Sequence, residues 1–139
     1  MKKFLSVLAL LSVLLLSLAA CTQPVDDGTV TVVIGTEEPT EYSLEYKAED
    51  ITNGLFSVLD KLEIEYTLDS YSMLASVGEL APTPPNYIYI YTSVEADFDV
   101  SSYALETEYK GTRLVSSGVG AKDMHVEDGA IIYIGTITW

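Results

Sequence analysis

The sequence predicts an α+β domain, one main helix packed on a mixed β-sheet, behind a segment that is cleaved away. Three observations predict it. The chain opens Met1-Lys2-Lys3 and then runs from Phe4 to Leu18 with nothing more polar than serine, closing on its only cysteine, Cys21. A basic start, an apolar stretch and small residues at the end make an export signal. Past it, most apolar residues recur with the period of two that marks strands. Only the stretch 50–66 changes to the helical period: Leu55, Phe56, Val58, Leu59 and Leu62 share one face.

The leader comes first. Its apolar run is shorter than the roughly 20 residues that a spanning helix needs. It ends Leu18-Ala19-Ala20-Cys21, which resembles the lipobox of bacterial lipoproteins, L-[AS]-[GA]-C. The resemblance implies a diacylglyceryl group on the Cys21 thiol and cleavage that makes Cys21 the new N-terminus. Two or more acyl chains anchor stably where a single chain binds marginally. The expected organisation is a signal peptide at 1–20, a lipidated tether at 21–28 and a single domain at 29–139, held at the extracytoplasmic face of a bacterial cell membrane. With its one cysteine lipidated, the mature domain has no disulfide framework and holds by burial alone.

The elements follow in order. TVTVVI (29–34) is β-branched throughout. After the turn GTEEPT, residues 41–48 alternate Tyr42, Leu44 and Tyr46 against polar neighbours, a strand with one wet face that pairs with the first as a hairpin. The helix start is capped by Thr52 or Asn53. At about ten residues the helix is too short to stand alone, so it packs on the sheet. Short strands are expected near 64–68 and within 71–82, stopped by the prolines at 82–85. NYIYIYTS (86–93) is the strongest strand, with Tyr87, Tyr89 and Tyr91 on one face and Ile88 and Ile90 on the other. An acidic loop follows. Residues 102–117 give two strands about a turn at Lys110-Gly111, and Asp128-Gly129 turns the chain into a last strand from Ile131 to Trp139. One helix across such a sheet suits a β-grasp-like arrangement.

Charge narrows the function. The chain has 7 Lys+Arg against 21 Asp+Glu, a formal net charge of −14. Lys2 and Lys3 leave with the leader, so the mature part holds five bases against 21 acids, a net −16. Such a surface repels nucleic acid and anionic lipid, and no nucleic-acid partner is expected.

The strand TVTVVI, the helix start TNGLFSVLDKL, MLASVGEL, YIYIYTS and the late stretch SGVGAKDMHVEDGAIIYI together resemble a bacterial surface-domain family of unassigned function. That family is related to the C-terminal domain of transcobalamin and intrinsic factor. The likeness covers about residues 29–138. Its most specific part is Gly118-Val119-Gly120 followed by Val126-x-Asp128-Gly129-x-Ile131. The family's Trp-x-x-Tyr-x-Asn-Gly is replaced here by YIYIYTSV, and no counterpart is expected of the helical domain that completes the cobalamin site in the eukaryotic relatives. The resemblance carries over a fold and no binding residue.

Candidate chemistry is sparse. The sole histidine, His125, sits on the approach to a turn with no nucleophile in a known spacing, so no enzyme is expected, no catalytic residue is assigned and no cofactor is implied. Asp97-x-Asp99-x-Ser101, with Glu108 twelfth from Asp97, echoes a calcium loop. The sixth position, where such loops turn on glycine, is Ser102. In so acidic a chain the spacing arises easily, and no metal ligand is assigned. Tyr87, Tyr89 and Tyr91 are candidates to stack a planar ligand or sugar, or else form core beneath the helix. The expected function is a membrane-anchored, non-enzymatic binding module for a corrinoid-like molecule, a cation or a glycan. The alternative is a structural or adhesive surface protein that meets another protein through a sheet edge.

Overall fold

The computed structural model describes residues 26–139; Cys21, its leader and most of the tether lie outside them. The chain forms β1 (Gly28–Ile34), β2 (Thr40–Tyr46), helix α1 (Leu55–Lys61), β3 (Tyr66–Leu68), β4 (Leu74–Val77), β5 (Asn86–Thr92), β6 (Glu106–Tyr109), β7 (Thr112–Ser116) and β8 (Ile131–Thr138). Short 3-10 turns occupy Ala48–Asp50, Glu95–Asp97 and Ala121–Asp123. Six strands make one mixed sheet in the order β2-β1-β8-β5-β7-β6, and β3 pairs with β4 apart from it. Only β1 and β8 run parallel, from Thr31↔Ile131 to Ile34↔Ile134. The domain is therefore α+β, mostly sheet, with a single α-helix among the described residues.

Burial explains the sequence patterns. Between β2 and β8, β1 buries Val30, Val32 and Val33 completely, which is why Val32, Val33 and Ile34 follow one another without a polar break. The edge strand β2 alternates. On the helix side, Val30, Val32, Ile132 and Ile134 meet Leu55, Val58 and Leu59. Each fully buried aliphatic side chain there contributes about 1.5–3 kcal/mol. That burial, and not intrinsic propensity, holds a seven-residue helix together.

The helix start differs from expectation. Neither Thr52 nor Asn53 caps α1: Gly54 holds that position at φ 55 and ψ −131, with no side-chain cap. The freed donors turn inward instead, for the Ser57 Oγ accepts from the N–H groups of Thr52 and Asn53. At the other end Glu63 adopts φ 57, and the Ile64 N–H reaches back to the Leu59 carbonyl. A β-carbon in the left-handed region costs about 1 kcal/mol. Glu63→Gly is therefore expected to stabilise the domain by up to about 1 kcal/mol, read from the urea midpoint; a lower midpoint would contradict this helix ending.

The opposite face of the sheet is partly covered. Tyr133 lies across from both Val33 and Tyr91, and Tyr91 across from Ser116. Leu114 shares this side and is fully buried. Rings follow one another from Trp139 to Tyr89 (6.5 Å), Tyr91 (5.3 Å), Tyr133 (6.3 Å) and Tyr109 (5.9 Å). Tyr109 belongs to β6, the sheet's far edge, yet its hydroxyl donates to Glu41 Oε2 on β2 at 2.7 Å. Lys110 reaches the same oxygen at 2.8 Å. The β6–β7 hairpin thus bends over the tyrosine face and fastens to the opposite edge. The fastening lies in water and is weak. Glu41→Gln is expected to leave the melting temperature unchanged within error while speeding amide exchange at the hairpin tip; protection equal to wild type there would show that the pair does not hold the tip.

Candidate functional site

Strand β5 positions a small, mainly apolar cleft. It pairs with β8 along its whole length but with β7 only at Tyr91 and Thr92. Beyond those two residues β7 gives way to the loop 117–121, and the edge of β5 from Asn86 to Tyr89 has no strand hydrogen-bonded to it, although β4 passes close to β5. The gap is a mainly apolar cleft of about 170 Å³. Ile88, Tyr89 and Ile90 line its floor, Met73 and Leu74 one wall, and Val119 with its flanking residues the other. Leu74 belongs to the core, whereas Met73 is 64% exposed at the lip.

The parity of β5 decides what the floor presents. Ser93 N–H donates to Ile131 O and Trp139 N–H to Pro85 O, so odd-numbered backbone groups of this strand face β8. Even-numbered ones face the other way: the Ile90 carbonyl accepts from Ser117 N–H at 2.9 Å. The N–H and C=O of Ile88 therefore point to the cleft edge, where none of the described residues bonds to them.

The Gly118-Val119-Gly120 stretch singled out in the sequence forms the second wall. Gly118 lies close against Asp99, where a β-carbon would stand 3.0 Å from the Asp99 Cα. Gly120 has open space around it and an extended backbone, φ −67 and ψ 157.

The three candidate tyrosines do not form one open platform. They share a face, and it is the face opposite the helix, since Ile88 and Ile90 pack toward α1. Tyr91 is half-buried among Tyr89, Tyr133 and the covering hairpin; burial pushes its hydroxyl pKa up, with smaller contributions from those two tyrosines. Tyr87 is exposed, and Tyr89 borders the cleft.

The calcium-loop spacing is not realised. Asp97 is 1% exposed and its carboxylate faces His125, not solvent. It accepts from the His125 N–H at 2.7 Å and lies 2.6 Å from His125 Nδ1. A carboxylate only accepts, so Nδ1 carries the proton. Asp99 instead accepts from the Ser101 N–H, and that bond holds its carboxyl below its ordinary range. Glu108 lies on β6, opposite Arg113. Among the described residues no group of three or more His, Cys, Asp or Glu side chains is placed to hold a metal. A wider cleft of about 490 Å³ carries Glu37, Glu38 and Glu79 without gathering them into a donor set. His125 is not a free turn residue either. Asp97 raises its pKa, mainly by accepting from the ring. The pair joins positions 28 apart, and no local motif announces it.

No family model and no curated protein matches the chain. Among solved structures, the chain is similar to a protein from Ruminococcus gnavus ATCC 29149 provisionally named as metal binding. The two share 15% identity over 82% of this chain and 98% of that one, with a TM-score of 0.51. That likeness supports the α+β fold and transfers no residue.

Proposed function

We propose that the chain is a lipid-anchored, extracytoplasmic, non-enzymatic binding module with a transcobalamin-like, β-grasp-like domain, and that it recognises its ligand at the cleft beside β5. The observation that carries the reading is an apolar cleft whose floor is an unpaired stretch of sheet edge. The same edge supports the adhesive alternative, in which the ligand is a protein. The neighbour's provisional name leaves a loosely held cation as a second reading, for which the three glutamates of the wider cleft are the only local support. Amide chemical shifts of the purified protein, followed while indole is added, test the cleft. Shifts are expected at Ile88, Val119 and Ala121; their absence would remove the cleft from the proposal.

Anchoring has its own test. Cys21→Ser is expected to abolish incorporation of radiolabelled fatty acid and to move the protein out of the membrane fraction, since the chain has no other thiol. Label on the serine variant would end the lipoprotein reading. Size also bears on the ligand. Pockets that enclose a drug-sized molecule span roughly 300–1,000 Å³, well above the 170 Å³ of this cleft. At this cleft cobalamin is accordingly expected to bind no more tightly than about micromolar by calorimetry; a nanomolar constant that Gly120→Leu weakens would overturn that expectation.

A further inference from the structure

We infer that the cleft takes an extended segment of a partner protein, added as a strand beside β5 at Ile88, with one apolar side chain in the cleft and Lys or Arg flanking it. The inference rests on the cleft being the recognition site and names what occupies it.

Three features lead there. The Ile88 N–H and C=O face the cleft without a partner among the described residues, and an added strand satisfies both at once. A small molecule seldom supplies a donor and an acceptor at that spacing. The space of about 170 Å³ is too small for a drug-sized ligand and suits a single large side chain. Met73 at the lip is unbranched and exposed, and such residues adapt to differing side chains.

Charge selects the partner's composition. No charged side chain lines the cleft itself; acids stand just behind its walls, with Asp69 accepting from the Met73 N–H, Asp99 backbone against Gly118 and Asp123 two residues past Ala121, and Lys122 is the one base among them. The chain as a whole stands at −14. A second copy would bring the same charge to the same edge, so self-pairing is opposed while a basic segment is drawn in. β5 itself, NYIYIYT, carries no charge to repel an incoming strand.

The test is selection of a random twelve-residue peptide library displayed on phage against the full-length protein in detergent, with Gly120→Leu as the counter-target. That substitution falls where a β-carbon meets nothing and φ is ordinary, so it narrows the cleft without straining the fold. Unchanged melting would confirm that it remains folded; if it melts early, Gly120→Ala and Val119→Phe take its place. Enriched peptides are expected to alternate apolar and polar residues, to carry Lys or Arg, and to bind Gly120→Leu at least about tenfold more weakly. N-methylation of the amide that pairs with Ile88 should cost about tenfold, whereas methylating the next amide should not. Equal loss at both amides, selection of acidic peptides, or binding indifferent to the plugged cleft would overturn the inference. So would a dimer in analytical ultracentrifugation that Gly120→Leu dissolves, which would assign the edge to a second copy. Indole shifts at Ile88 and Val119 without any enriched peptide would defeat the peptide and leave the cleft standing; neither response would defeat both.

Discussion

Gly54→Ala is expected to destabilise the domain by about 2–6 kcal/mol, a large part of the roughly 5–15 that a domain of this size possesses. Two costs combine. At φ 55 and ψ −131 the backbone lies where an L side chain is strained, worth about 1–3 kcal/mol. A β-carbon would also stand 2.5 Å from the carbonyl oxygens of both Ala121 and Lys122. Those are backbone atoms and cannot swing aside, so α1 and the 121–123 turn must separate. Two other glycines divide the causes. Gly111 has φ +82 with nothing within 4 Å, and Gly120 has open space and an ordinary φ. Alanine at Gly111 should cost about 1 kcal/mol, and at Gly120 almost nothing. Urea denaturation of the three variants gives the comparison. If Gly54→Ala costs no more than Gly111→Ala, the helix start is not seated on the turn. Because Ala121 also borders the β5 cleft, the Gly54 variant should loosen that wall and weaken any cleft ligand together with the fold.

What the sequence reveals follows the range of the forces involved. The β1–β2 hairpin, the turn at Lys110-Gly111 and the strand after Asp128-Gly129 are set by neighbours a few residues apart, and the structure has them where the pattern puts them. The side of β5 that faces the helix was not legible. Alternation in NYIYIYT shows that two faces exist, and the choice between them depends on where α1 and the bent β6–β7 hairpin come to rest. The cleft was hidden for a similar reason. It arises because β7 runs beside β5 for only two residues, a matter of register between strands some 20 residues apart. Gly118-Val119-Gly120 marked the place without saying what it bordered. In the sequence Asp97 falls in a spaced acidic series, yet its partner is a histidine beyond two intervening strands.

That pair supplies the second large effect. Asp97→Ala should cost about 2–4 kcal/mol, since it removes the acceptor for both the His125 N–H and the imidazole Nδ1–H, and hydrogen bonds to a charged group contribute about 1.5–3 kcal/mol. The backbone of Asp97 is locked independently, by Asp97 N–H to Val94 O at 3.0 Å and Gly118 N–H to Asp97 O at 2.7 Å, so the turn at Glu95–Asp97 cannot shift to fill the gap. Asp97→Asn keeps an acceptor for the His125 N–H and should cost less. His125 also ties stability to pH. Its folded pKa lies above the ordinary 6.5 because Asp97 accepts from the ring. The imidazolium's contribution is thus fully present below about pH 6.5 and is lost as pH rises through the raised folded value. More than half of the ring is in water, which screens the attraction and holds this contribution below about 1 kcal/mol. Wild-type denaturation midpoints should fall as pH climbs from about 6 past neutrality, and His125→Gln and Asp97→Asn should both flatten that slope. A slope that survives in both variants would show that another group carries it, and that Asp97 and His125 are held together by geometry without charge.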